Sequence, residues 1–383
     1  LASFSTFAVG FIARPVGGVI FGHFGDVVGR KRALVTALLL MGMATTLVGC
    51  LPSYATIGVA APLALIVLRF CQGLAVGGQW GGAALLAVES APPHRRGLFG
   101  SFPQLGVPVG VVLANLIFLV MAETVAPEAF QAWGWRIPFL LSLLLVGLGI
   151  YMQLKLEDTP EFKALEDVEE RALAEARSLR SKNPIWGALR KHPKEILLAA
   201  GSFVAPNGCF YLIIVFTVSY AVGVHHLARP TVLWAVLLGA LLTAGITPLA
   251  GWLSDRYGRR AVFLSGAVIT GLVSLVYWPL VDTAQFLPLL IAVGAGLGAQ
   301  TIMYGPQAAL FAELFSTEVR YSGASMGYQI GAIFGGGFAP IIAQKLLDAN
   351  GNNAMAVGIY MAVLCTISFV SVLILGETHK HRG

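Results

Sequence analysis

The chain has 383 residues, of which 57% are apolar and only 11% charged, against roughly 25% charged in an ordinary soluble domain. With 25 Lys and Arg, 19 Asp and Glu and a mean hydropathy of +0.78, it has too little charge to cover a water-facing surface of that size, so most of its exterior must face lipid. Soluble enzymes and disordered chains are excluded, and the net charge of +6 has to be read from its distribution along the chain, not as a sign of nucleic-acid binding.

About 20 apolar residues cross a bilayer as a helix. That rule predicts eleven spans, at 1–23, 33–51, 61–89, 98–121, 136–155, 194–221, 230–251, 261–281, 286–311, 321–346 and 355–376. The first connection carries Arg30, Lys31 and Arg32, the second (52–60) no basic residue, the third Arg95 and Arg96, and the fourth (122–135) none. The stretch from Lys155 to Lys194 and the C-terminal tail are basic as well. This alternation is the positive-inside pattern and predicts that the central loop and the C-terminus are cytoplasmic. The first span then runs outside to inside, and a chain with a cytoplasmic N-terminus needs one more helix in front, which this reading expects to be missing. Cys50, Cys71, Cys209 and Cys365 lie singly in apolar stretches and read as small buried hydrophobes. No metal site and no cofactor is expected.

Residues 157–193 are the one polar stretch, with helix-forming composition from Glu161 to Arg180. They predict a cytoplasmic linker with a surface helix between an N-terminal helical bundle, 1–156, and a C-terminal one, 194–383. The bundles share an internal repeat. Gly22-His-Phe-Gly-Asp26-Val-Val-Gly29-Arg30 matches Gly251-Trp-Leu-Ser-Asp255-Arg-Tyr-Gly258-Arg259 in register, and Glu89, Arg96 and Ser101 match Glu313, Arg320 and Ser325. In such a loop the glycines permit close approach, the Asp faces a helix N-terminus and the Arg pairs with a neighbouring carboxylate. Asp26, Arg30 and Glu89 are read as the inner latch of the first half, with His23 beside it, and Asp255, Arg259 and Glu313 as that of the second. Duplicated halves are a transporter signature.

At this point the residues resemble a family. Gly-x-x-x-Asp-x-x-Gly-Arg is similar to the loop motif of the major facilitator superfamily, and Arg69-x-x-Gln72-Gly73 resembles its fourth-helix motif. Ala13-Arg-Pro-Val-Gly-Gly18, Arg69 through Gly82, Glu89-Ser-Ala-Pro92, Trp133-Gly-Trp-Arg-Ile-Pro-Phe139, Glu157-Asp-Thr-Pro-Glu-Phe162 and Tyr304-Gly-Pro-Gln307 narrow the resemblance to its metabolite:proton symporter branch, which includes permeases for shikimate, 2-oxoglutarate, citrate and proline or betaine. The resemblance implies an all-α membrane fold of two pseudo-symmetric six-helix bundles, with the first helix the one absent here. One departure stands out: Gln79 occupies a position where the branch usually carries Glu, which removes a protonatable group from the pathway.

An ionisable residue inside a bilayer is a functional-site hypothesis by default. Arg14 lies twelve residues before Asp26, about 18 Å up the helix and near mid-bilayer, where a guanidinium can grip a carboxylate with two parallel hydrogen bonds. Arg69 and Gln72, one turn apart, form a second candidate pair for substrate binding or proton coupling. Polar and aromatic residues within spans complete the candidate cavity: Gln79, Trp80, Gln104, Asn207, Tyr211, Tyr304, Gln307 and Tyr328, with Asn115, Gln300 and Gln329 in the wider set. Buried amides and phenols need partners, so part of this set joins helices to each other.

The sequence therefore predicts a non-enzymatic, multi-pass transporter of the bacterial inner membrane, working as a monomer on a small-molecule substrate and a proton. Two cations near the pathway without a mid-bilayer acid favour a small organic anion such as a dicarboxylate, a shikimate-like acid or an aromatic acid. Two alternatives stay open, an osmolyte porter for proline or betaine and a transporter-like membrane sensor.

Overall fold

The computed structural model describes residues 2–28, 30–155, 192–316 and 320–377, and all regular structure among them is helical. The expected linker helix at 161–180 lies outside the described residues. In lipid no water can satisfy backbone groups, so each spanning segment closes its own hydrogen bonds as a helix. The long helices follow the apolar runs: α1 Ala2–Val28, α2 Arg30–Cys50, α3 Ala60–Glu89, α4 Arg96–Gln104 continued by α5 Gly106–Thr124, and α6 Leu143–Lys155. After the linker come α7 Pro193–Tyr211, a π-helical turn Leu212–Phe216 and α8 Thr217–Gly223, then α9 Arg229–Tyr257 and α10 Arg259–Asp282. The chain ends in α11 Phe286–Tyr304 with α12 Gln307–Leu314, α13 Arg320–Ala332 with a π-helical turn Ile333–Gly337 and α14 Ala339–Ala349, and α15 Met355–Leu375. Ten of the resulting segments are long and apolar enough to span a membrane, and α1 adds the apolar stretch Val9–Phe24.

Breaks fall where the sequence removes a donor or permits an unusual backbone. Pro103 and Pro108 flank the change of helix at Leu105, and Gly258, at φ 96°, turns α9 directly into α10. Only a residue without Cβ adopts that conformation cheaply. The outer faces are apolar, with Leu144 74% and Leu197 70% exposed, as lipid contact requires. α9 lies against α4 and α5, and α1 against α13. These two seams join the halves.

Cys209 and Cys365 are buried as expected, and the other two cysteines depart from expectation. Cys50 is exposed and Cys71 half-buried, because in a membrane an apolar position can face lipid as readily as the core. Cys209 and Cys365, which stand alone in sequence, meet across α7 and α15 with Sγ atoms 4.0 Å apart.

Candidate functional site

A cavity of about 280 Å³ opens between the halves. The first half contributes Arg14 from α1, Gln79 and Trp80 from α3, and the Pro103–Pro108 break between α4 and α5. The second contributes Phe203, Asn207 and Tyr211 from α7, Thr243 and Thr247 from α9, Gln300, Thr301 and Tyr304 from α11, and Tyr328 from α13. Arg14 is the one charged residue in this lining, and no Asp, Glu or His belongs to it among the described residues.

Arg14 sits on the turn that Pro15 interrupts, and its guanidinium carbon lies 3.8 Å from the centre of the Phe11 ring. Its Nε has no hydrogen-bond partner. Trp80 and Phe203 stack on opposite faces of Tyr328, with centroid distances of 3.8 Å each and interplanar angles of 18° and 27°. Trp80 Nε1 donates to Gln104 Oε1 at 2.8 Å, and Gln104 Nε2 donates to the Tyr304 carbonyl at 3.2 Å. Gln104 thus stands one layer behind the wall, fixing an indole from one half and a backbone from the other. The hydroxyls of Tyr304 and Tyr328 are 3.4 Å apart. Gln79 donates to the Ala37 carbonyl and Asn207 to that of Ala332, while Gln300 Nε2 donates to the carbonyl of Pro206 at 2.8 Å.

Other sequence candidates lie elsewhere. Arg69 Nη1 donates to Gln72 Oε1 at 3.1 Å and Gln72 Nε2 to Thr45 Oγ1 at 2.8 Å, a polar knot between α2 and α3 that does not line this cavity. Gln307 is fully buried and outside the lining, and neither polar atom of its amide has a hydrogen-bond partner. An unmade hydrogen bond costs about 1–3 kcal/mol. Gln307→Met, which keeps the volume and removes the amide, is therefore expected to raise the apparent unfolding temperature in detergent; a fall would show that the amide has a partner. Sequence reasoning passed over Phe203, Thr243, Thr247 and Thr301. Only Thr243 and Thr247 left a trace, as an i, i+4 pair in an apolar span.

At the basic end, Asp255 accepts from the Gly97 and Leu98 amides at the N-terminus of α4, both at 2.8 Å. A carboxylate is favoured there by the helix dipole. Arg259, fully buried, donates to Asp255 Oδ1 at 2.6 Å and to Glu313 Oε1 at 3.2 Å. Gly97 has to be glycine, since a Cβ would lie 2.5 Å from the backbone carbonyl oxygen of Gly251 and as close to Arg259 Nη1. Glu89 does not stay within its own half: its Oε1 accepts from Arg320 Nη1 at 3.2 Å. Asp255, Arg259 and Glu313 are thus bonded to one another within the second half, as expected of its latch. Asp255 of the second half and Glu89 of the first each also reach across to the other half. His23 Nδ1 is buried without a hydrogen-bond partner, and the side chains of Asp26 and Arg30 lie outside the described residues.

The family model of the Major Facilitator Superfamily matches residues 2–335 and 213–383. The chain belongs to that superfamily. It is 40% identical to the inner membrane metabolite transport protein YhjE of Escherichia coli K12, over 100% of this chain and 86% of the relative. It is 37% identical to the shikimate transporter of the same organism (99% and 85%), and 30% to the proline/betaine transporter of Salmonella typhimurium LT2 (99% and 75%). The solved proton:xylose symporter XylE, bound to 6-bromo-6-deoxy-D-glucose, superposes with a TM-score of 0.73 at 16% identity, covering 98% of this chain and 87% of that one. That likeness concerns the fold. As a major facilitator this is a multi-pass membrane transporter and not an enzyme.

Proposed function

We propose that the protein takes up a small organic acid together with a proton, by alternating access across a bacterial inner membrane, as a monomer with its C-terminus and the 157–193 linker cytoplasmic. The observation that carries this reading is a guanidinium in the wall of the inter-half cavity, without a carboxylate in the same lining among the described residues. A half-buried cation of that kind wants an anion, and a carboxylate matches its planar fork. The cross-half bonds at the basic end hold the inner side shut, so the cavity is poised to load from outside. With no acid in the lining among the described residues, the proton rides on the substrate or on a group outside that set.

A shikimate transporter among the relatives agrees with an acid, and the proline/betaine transporter keeps the osmolyte alternative in the assay. Betaine also carries a carboxylate, but its quaternary ammonium needs open aromatic faces, and both faces of Tyr328 are already covered. The test is uptake of labelled shikimate, 2-oxoglutarate, citrate and betaine by the full-length protein in proteoliposomes, with and without an inward proton gradient. Gradient-driven uptake of an acid is expected. Arg14→Ala should raise its KM by about 30- to 5000-fold, since truncating one partner of a buried charge pair costs about 2–5 kcal/mol. An unchanged KM, or uptake of betaine alone, would overturn the organic-acid reading.

A further inference from the structure

Resting on the anion reading of Arg14, we infer that Phe11 is a positioning residue for the transport site: its ring face holds the guanidinium in place without a carboxylate partner, aimed at the cavity. Phe11 precedes Arg14 by one helical turn and is 1% exposed. A guanidinium in low dielectric needs electrostatic compensation. A carboxylate partner would supply it, but would compete with the substrate for the same fork. The negative face of an aromatic ring compensates part of the charge and leaves the N–H groups unspent. The observed geometry is of that kind, with Arg14 3.8 Å above the ring centre and its Nε without a hydrogen-bond partner.

The second half fixes the ring in turn. Phe11 meets Tyr211 edge to face at 5.2 Å and packs on the π-helical turn after α13. A Cβ at Gly336 would lie 2.6 Å from Asn207 Nδ2, 2.7 Å from Phe11 Cε1 and 2.8 Å from Tyr211 Cδ2. Three side chains therefore converge on the space left by one missing methyl group, and two of them, Asn207 and Tyr211, line the cavity. π-Helical turns inside helices are frequent at functional sites. Here the turn presents a bare backbone to the ring that carries the charge, so the position of Arg14 depends on contacts from both halves.

A leucine at position 11 would fill the same space, so the decisive readout is the ring's electrostatics and not its volume. The experiment places phenylalanine, 4-fluoro-, 3,5-difluoro- and 3,4,5-trifluorophenylalanine at position 11 of the full-length protein by nonsense suppression. It measures uptake kinetics for the acid with the strongest gradient-driven uptake, alongside Arg14→Ala. KM is expected to climb stepwise with fluorination, reaching about 3- to 30-fold for the trifluoro ring, with the unfolding temperature unchanged. Phe11→Leu should match the trifluoro end of the series, and Gly336→Ala should raise KM by displacing the ring. A flat series, with Arg14→Ala still impaired, overturns the role of Phe11 while leaving the anion reading standing. A silent Arg14→Ala overturns both.

Discussion

Arg320→Ala is expected to unlock the basic end of the molecule and to abolish gradient-driven accumulation. Arg320 is 3% exposed, its Nη1 donates to Glu89 Oε1 at 3.2 Å, and its Nε donates to the Phe315 carbonyl at 3.3 Å. Removing one member of a buried ion pair costs about 3–5 kcal/mol, because the other charge loses its partner where water cannot replace it. In alternating access that cost falls on the closed state alone, since an opened inner side exposes Glu89 to solvent. A shift of 3 kcal/mol is more than a hundredfold in the population ratio, enough to turn a closed resting state into an open one. Paired spin labels on the basic ends of the two halves should report a longer distance in Arg320→Ala, and Glu89→Gln should move the same way by less, because glutamine still accepts from Arg320. Distances and uptake identical to those of the parent protein would show that this pair does not hold the gate.

The spans were legible because a bilayer imposes one requirement, some 20 apolar residues in a helix, and ten segments among the described residues meet it, with the shorter Val9–Phe24 stretch in the place of the first predicted span. The repeated Gly-x-x-x-Asp loop showed the duplication and the end at which the halves meet. What it did not show is which landmark bonds to which. Glu89 and Arg320 are both prominent in sequence, yet their pairing depends on how the halves face each other, a relation that no local pattern encodes. The inward faces were equally hard to read. In a soluble helix a polar face marks the outside, but here both lipid and core are apolar, so periodicity cannot separate Arg69 and Gln72, which bond to Thr45 away from the cavity, from Thr243 and Thr247, which line it. Arg14 was the exception, because its charge so deep in a span needed a reason of its own.

The packing that places Arg14 leads to the second large effect, on folding as well as transport. Helices in lipid gain no hydrophobic drive from meeting each other and rely on close contact through small residues. Along the α1–α3 seam a Cβ at Gly17 would lie 2.1 Å from the Leu74 carbonyl oxygen, at Gly73 2.2 Å from that of Gly10, and at Gly77 2.2 Å from that of Arg14. The obstacle is backbone in every case, so no side chain can step aside. Gly77 also lies on the seam with the second half, where its carbonyl accepts from Gln329 Nε2 and the neighbouring carbonyl of Gly78 accepts from Tyr321 Oη at 2.6 Å. Gly77→Val must therefore force α1 away from α3, shift the backbone of Arg14 itself and disturb the contact with α13. A cost of about 3 kcal/mol or more is expected, seen as a lower unfolding temperature and little folded protein. Gly147→Val provides the control, since Gly147 lies in α6 with no atom within 4 Å of its would-be Cβ, and it should change stability by less than about 0.5 kcal/mol. If both valine variants melt together and Gly77→Val keeps the parent KM, then close backbone contact is not what aims the guanidinium. If Gly77→Val alone fails, the cation in the cavity is set by glycines that never touch the substrate.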